Sequence, residues 1–563
     1  MNNKIRCHLP WVHCCLLLLS IVFLLSSFTS THPRRSDIAQ IIQELLNNPE
    51  QFRTGTHPIT VSDVTFQFYR QRNFEPAWCN EDTGSSLVDS LLVYLNGAAN
   101  DGLNPADYHP SFLDSLKNTI PCRDSIDTRN LHLAALDLFL TDAFFRYAVH
   151  LAYGKLKPVS LGLVVELPKI EFDFPGLLES ALGSSSLHST LGELSPKHQW
   201  FTDLNSALQR VRRMEKLTAS LKFPRTERSK DFQAYLQKRL TIEGDLEETD
   251  TNRSPRPQAV LTAALRSFQL RHGLEPTGKT DSTTIAALRI PYSTRIKQIR
   301  ATMERWRWFP AELGDRCLLV NIPDFSVSLI EDQQVVATRR VALGTPEWPT
   351  PLISTTLTHV AINAYWYCPS SIFNRQLFDY VRGDSNYLPR NKMVLLRQRN
   401  GTVEVVDRKS IDWKSIRKEE LDVVLRQDPG PENIMGQLQI RLNSKLDIYL
   451  HDTPYQDDFS KRLRLFSHGC IRVERPAELA EFVLQDPERW NRETIEHLMK
   501  NLKSRTIQIE GDFPVHIVYA TVWVDAAGKL QFRDDVYGWD RRMDRAGAPR
   551  TQVSKHFSRL QSQ

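Results

Sequence analysis

The chain carries little net charge of either sign. Its 71 Lys and Arg nearly balance 66 Asp and Glu, leaving +5 over 563 residues. That excludes an electrostatic footprint for nucleic acid, while a mildly basic surface still suits an anionic polymer. Cysteine is scarce as well. Of the eight, Cys7, Cys14 and Cys15 fall in the N-terminal run, leaving Cys79, Cys122, Cys317, Cys368 and Cys470. No spacing among them resembles a zinc site, so no metal and no other cofactor is expected. In an oxidising compartment an odd number leaves at least one thiol free, and Cys79 and Cys122 are candidates to pair. The long apolar run lies at the N-terminus, from about Leu9 to Phe28 behind Lys4 and Arg6. It reads as an export signal. Ser27 and Thr29 fit a cleavage site loosely, and the run is also long enough to anchor in a bilayer. Arg34 and Arg35 balance the flanking charge, so both readings of residues 1–31 stand. Everything after about residue 32 is expected outside the cytoplasm.

What remains is too long for one core, and about three or four domains are expected. Residues 36–224 read as helical. Apolar residues recur at helical spacing over 36–48 and again over 131–151, with Asp101-Gly102 and Asn104-Pro105 marking turns. A polar, proline-containing break follows at 250–257. Within 225–292 lies a small helical unit, with Val260, Ala264, Leu265, Phe268 and Leu270 as an apolar stripe. Gly273 suits the end of that helix and Asp281 the N-cap of the next. Gly273 to Thr280 matches the Walker A pattern. A P-loop needs a strand before it, and here an amphipathic helix precedes it, so the segment reads as an inter-helix loop. Residues 292–309 read as a linker helix that turns Ile296, Ile299 and Met303 inward and its many charges to solvent.

From Cys317 the period changes to two and β-branched residues dominate, predicting a mainly antiparallel β-domain over 293–530. Residues 365–435 interrupt it as a charged, helical insertion. Its place just before the chemistry suits a lid, with decoration as the alternative. Tyr365 and Trp366, at its start, either line a cleft or pack. A hairpin turning at 526–529 is expected to complete the β-domain. The stretch 531–563 is expected to be a mobile tail. The fold class is therefore multi-domain α+β.

The chemistry concentrates in 450–475, LHDTPYQDDFSKRLRLFSHGCIRVER. A thiol is a poor nucleophile until an imidazole takes its proton, and the same imidazole can then protonate a leaving amine. Glycine before the cysteine suits a turn whose amides, Gly469 and Cys470, can face a developing oxyanion. His451, fifteen residues, then Ser467-His468-Gly469-Cys470 resembles the L,D-transpeptidase catalytic signature. Many members carry Asn two residues after the cysteine. This chain has Arg472 there, similar to the larger multi-domain branch.

Further words support the resemblance. LTDAFFRYAVHLAYGKLKP is similar to the scaffold domain of large periplasmic L,D-transpeptidases, and LRSFQLRHGLEPTGKTDSTTIAALR resembles a peptidoglycan-binding module. VNIPDFSVSLIEDQQVV and GTPEWPTPL resemble the opening of the catalytic domain. The resemblance implies an enzyme of the periplasm or the outer face of the inner membrane. Its substrates would be peptidoglycan stem peptides and glycan, with a D,D-carboxypeptidase as the supplier of tetrapeptides. Cys470 would form a thioester and release D-alanine, with His451 as base. His468 would orient the thiol or serve structurally, Ser467 would hold the turn, and Arg472 would bind a substrate carboxylate or a nearby acid. Carbapenems are expected to acylate Cys470. An L,D-carboxypeptidase and a non-catalytic wall-binding scaffold are the alternatives.

Overall fold

The computed structural model describes residues 36–48, 63–79, 86–119, 126–226, 229–247, 257–399 and 401–547, plus the backbone of a short strand pair at 53–54 and 57–58. The N-terminal apolar run and Cys122 lie outside them. Among the described residues no helix is long and apolar enough to cross a membrane.

Two compact units form. The first, within 1–155 and 170–196, is helical, as expected. Its central helix, Ile126–Tyr153, is buried on nearly every side, so its apolar residues do not confine themselves to one face. Helices Ser36–Asn47, Asp63–Gln71, Ser86–Gly97, Pro110–Thr119 and Phe174–Ser184 belong to this unit. Asp137 sits at its centre. Its carboxylate accepts from the Tyr69 hydroxyl at 2.6 Å and from the amides of Ala77, Trp78 and Cys79 at 2.7–2.8 Å. Three otherwise orphaned amides are thereby satisfied. Cys79 is buried, and its candidate pairing with Cys122 falls on a residue outside the described ones.

The second unit holds residues 156–169 and everything from 197. The expected scaffold region 36–224 is therefore divided. Helix Gln199–Thr218 packs in the second unit's core, and Val165–Glu166 adds a strand to its sheet.

That sheet has ten strands. Its order is Leu438–Leu442, Tyr449–His451, Ile471–Val473, Gln334–Gly344, Ser326–Glu331, Cys317–Asn321, Arg505–Val518, Leu352–Ile362, Val165–Glu166, with Leu465–Ser467 paired to Gln334–Gly344. Leu352–Ile362 also pairs with Leu438–Leu442, so the sheet closes on itself and leaves no long free edge. Most pairings are antiparallel, as expected. Tyr449–His451 with Ile471–Val473 is parallel. The connection between those two strands carries the catalytic signature.

Four expectations change. The charges of helix Tyr292–Trp306 are only partly a solvated face, with Lys297 exposed. Arg295, Glu304 and Arg305 are buried, and Arg305 pairs with Asp540 at 2.6 Å. Asp540 belongs to Trp539–Gly547, a helix inside the stretch expected as a mobile tail. Trp539 and Met543 anchor it in the core. The C-terminal hairpin, Val522–Val524 with Leu530–Phe532, forms its own two-stranded sheet, while Arg505–Val518 lies inside the barrel. In the small helical unit the buried stripe of Gln258–Arg271 is Leu261, Ala264, Leu265 and Phe268, and Val260 and Leu270 are exposed.

Other readings match the structure. Asp281 caps helix Ser282–Arg289 by accepting from the Thr284 amide at 2.8 Å. Gly273 adopts positive φ just past the preceding helix. The Walker-like segment follows a helix, and the Gly278 amide donates to Gln269 at 2.7 Å. That amide does not face an open phosphate cradle.

The insertion after Leu352–Ile362 has short helical segments at 370–383 and 387–390 and a four-stranded antiparallel sheet of its own. Trp366, Phe373, Phe378, Val381, Leu395 and Leu425 form a separate core there. The sheet was not legible because each strand is short and most of Thr402–Val406 is exposed.

Candidate active site

Register brings the signature together. In the parallel pair, Leu450 lies opposite Ile471 and His451 opposite Arg472. Leu450 and Ile471 are fully buried, pointing into the barrel core. Side chains alternate along a strand, so Tyr449, His451, Cys470 and Arg472 share the other face. The next strand adds Gln439 opposite His451 and Arg441 opposite Tyr449. The Arg441 guanidinium lies 3.7 Å from the Tyr449 ring centroid. Gln439 is buried, and its Oε1 has no hydrogen-bond partner.

His451 Nδ1 lies 2.5 Å from the carbonyl oxygen of Asp452. A carbonyl only accepts, so Nδ1 carries the proton and Nε2 keeps its lone pair for base chemistry. Burial, and then the charge of Arg472, push the imidazole pKa down to about 4. Cys470 is half-buried, and burial drives its thiol up to about 11 against the pull of the Tyr449 amide and Arg441. The thiol donates to the Asp447 carbonyl at 3.4 Å and not to the imidazole. The resting pair is therefore neutral. It does not hold the raised thiolate fraction expected of an imidazole in hydrogen-bond contact, because desolvation penalises both charged forms.

The turn before Cys470 is held from several sides. The Ser467 hydroxyl donates to the Cys470 carbonyl at 2.5 Å and accepts from the Gly469 amide at 3.2 Å. The Gly469 amide is thus occupied, a change from the expected oxyanion pair that leaves the Cys470 amide as the remaining choice. Gly469 has φ +109°, a conformation that favours glycine. Thr350 Oγ1 donates to the Gly469 carbonyl at 2.9 Å and accepts from the Gly344 amide at 3.0 Å. The Tyr537 hydroxyl donates to the Gly344 carbonyl at 2.7 Å.

His468 points elsewhere. Its ring packs edge-on against Trp348, with centroids 5.7 Å apart, and its Nε2 contacts the Gln376 amide of the insertion. Arg375 lies 4.8 Å over the same Trp348 ring. Both insertion residues belong to Phe373–Leu377, a π-helical segment, a form that often marks functional positions. Arg472 bonds Asp458 at 3.2 Å, so a protein acid already occupies part of its guanidinium. Trp366 is buried in the insertion's core. Tyr365 is exposed beneath Arg426, whose Cζ lies 4.6 Å from its ring centroid.

Sequence reasoning missed Trp348, Arg375, Gln376, Gln439 and the carbonyls of Asp447 and Asp452. A carbonyl has no side-chain signal. Trp348 stood in GTPEWPTPL, a segment whose resemblance marked the domain but gave no role to this side chain.

Three stretches of the chain are similar to known families. Residues 315–517 match a family described as "L,D-transpeptidase catalytic domain". Residues 63–208 match a "Scaffold domain", and 230–288 match a "Putative peptidoglycan binding domain". A Haemophilus influenzae protein named "Putative L,D-transpeptidase" is 31% identical over 229 residues. That likeness spans 41% of this chain and 45% of the relative, under half the length of each.

Proposed function

We propose, from the premise that this chain carries an L,D-transpeptidase catalytic domain with scaffold and peptidoglycan-binding domains, that it crosslinks peptidoglycan stem peptides through Cys470. The observation that carries this reading is the imidazole of His451. It is fixed with its proton on Nδ1, on the same strand face as the thiol.

The Cys470 thiol leaves the Asp447 carbonyl and gives its proton to His451 Nε2 as sulfur attacks. The carbonyl attacked joins the third-position diamino acid of a stem tetrapeptide to its terminal D-alanine. The Cys470 amide supports the oxyanion. The C–N bond breaks, His451 returns the proton to the departing D-alanine amine, and a thioester remains. The side-chain amine of a second stem then attacks the thioester, loses a proton to His451, and frees the thiol. Water in its place would give the L,D-carboxypeptidase. Arg472 adds positive charge beside His451 and, with Asp458, fixes the floor of the site. His468, Trp348 and Gln376 form a contact between the insertion and the catalytic turn, which supports the lid reading. No cofactor enters any step. The domain set suits an exported location at the cell wall, and the substrate requires a D,D-carboxypeptidase reaction upstream.

The test is to incubate the purified chain and its Cys470→Ala variant with disaccharide-tetrapeptides and weigh the products. A dimer lacking one D-alanine, absent with the variant, is expected. A tripeptide alone would replace the transpeptidase with the carboxypeptidase. Turnover that survives in the variant would remove Cys470 from the chemistry. In intact-mass measurements a carbapenem adduct on the native chain should be missing from Cys470→Ala.

A further inference from the structure

A cavity of about 280 Å³ lies within the second unit, away from Cys470. Arg210 of helix Gln199–Thr218, Glu243, Arg271 and His272 of the small helical unit, Arg295 of helix Tyr292–Trp306 and Lys529 of the C-terminal hairpin line it. This volume is close to the lower end for small-ligand pockets, about 300 Å³.

Its charges do not balance. Glu243 and Asp245 are matched by Arg239 and Arg271: Arg239 bonds Glu243 at 2.5 Å, and Arg271 bonds Asp245 at 2.5 Å and also contacts Glu243. The other three cations form no ion pair among the described residues. Arg295 is buried, donates to Gln298 at 2.8 Å and lies 4.4 Å over the Phe532 ring. Arg210 donates to the Gly528 carbonyl at 3.1 Å, and its buried Nε has no acceptor. Lys529 donates to Ser267 at 3.1 Å. The neighbouring carboxylates attract these cations without pairing with them: Asp203 and Asp525 act on Arg210, and Glu243 and Asp534 on Arg295. Asp525 accepts from the amides of its own turn, and Asp534 pairs with Arg462. Burial first, and then the charges of Arg239 and Arg271, push Arg295 down to about 10 against the pull of Glu243 and Asp534.

A guanidinium held out of water without a counter-ion is costly unless an anion completes it. Two guanidinia and an ammonium around one space match a carboxylate, which accepts two N–H bonds from a single Arg. Phe532 and His272 stack on one another and line the apolar side of the cavity by their edges. We propose that this cavity is a second subsite for wall peptide, holding a free carboxylate of a stem that is not the one being acylated. The identity of the peptide rests on the function proposed above, whereas the anion site rests on the cavity itself. Occupancy would hold the small helical unit and the hairpin on the same strand of wall while Cys470 works on another.

The full-length chain carrying Cys470→Ala is titrated calorimetrically with disaccharide-tetrapeptide, with the peptide-free disaccharide and with inorganic phosphate. Two equivalents of tetrapeptide are expected. Adding Arg295→Gln, or Lys529→Ala on the exposed turn, should weaken one of them about tenfold and leave the other unchanged. In chains that retain Cys470, both substitutions should leave tetrapeptide turnover intact. One equivalent only, or two that ignore both substitutions, overturns the proposal. So does a cavity that takes the bare disaccharide or phosphate in preference to the tetrapeptide. Failure of the native chain to turn over tetrapeptide would instead overturn the transpeptidase reading. The Lys529 variant keeps the test open if loss of Arg295 prevents folding.

Discussion

At the scale of single residues, the candidate site holds a neutral thiol beside a neutral imidazole. Cys470 is held near 11 and His451 near 4, both by burial first. Only thiolate reacts with an alkylating agent, so iodoacetamide inactivation should rise about tenfold per pH unit from neutrality toward pH 10. A plateau near pH 6 to 7 would mean a resting ion pair and would contradict this. The acid limb of kcat/KM should fall near pH 4 and not near 6.5, because His451 stays unprotonated until then. The Asp452 carbonyl makes this arrangement one of tautomer as much as pKa. That His451 and Cys470 lie together was legible in the sequence because their spacing matches a known signature, and the parallel pair of strands brings them side by side. The atoms that orient them belong to the main chain, which every residue shares.

Between elements, the catalytic turn depends on a strand end. A Cβ on Gly344 would run into the Trp348 carbonyl and press on the Gly469 Cα at 3.0 Å. The same loop supplies Thr350 to the Gly469 carbonyl. Gly344→Ala should therefore lower turnover about a hundredfold by displacing the turn, while the far-ultraviolet spectrum stays native. Turnover within threefold of the native chain would show that the loop moves freely from the turn. The helices were the more legible elements, since Ser36–Asn47, Gln258–Arg271 and Pro476–Leu484 keep caps or periodic stripes. The insertion's strands were not. Strands of two to seven residues over a private core leave too little alternation to read.

For the whole molecule, four buried histidines set an acid limit. His198 is held near 3 and His451 near 4, His272 lies well below its ordinary value, and His516 is lowered, burial leading in every case. All four belong to the second unit. Unfolded, each binds a proton near 6.5. Between about 6.5 and 4 the unfolded chain therefore carries more protons, so stability rises with pH and is lost as pH falls. The slope is at most roughly 5 kcal/mol per pH unit if all four titrate together. Urea midpoints measured from pH 7 down to pH 5 should drop steeply. A flat profile would place these rings in contact with water.

The sequence by itself determined the helical character of the N-terminal half, the place of the small helical unit and the change from helix to strand near Cys317. Each follows from side-chain type and period, and both are local. Tertiary structure alone decided that the barrel closes, that Arg295, Glu304 and Arg305 of helix Tyr292–Trp306 are buried, that helix Trp539–Gly547 docks, and that Arg210, Arg295 and Lys529 meet around one cavity. Whether a charge is solvated depends on what packs over it. The cover comes from residues hundreds of positions away, as Asp540 covers Arg305. No pattern within a helix can encode a partner that only the folded chain brings near.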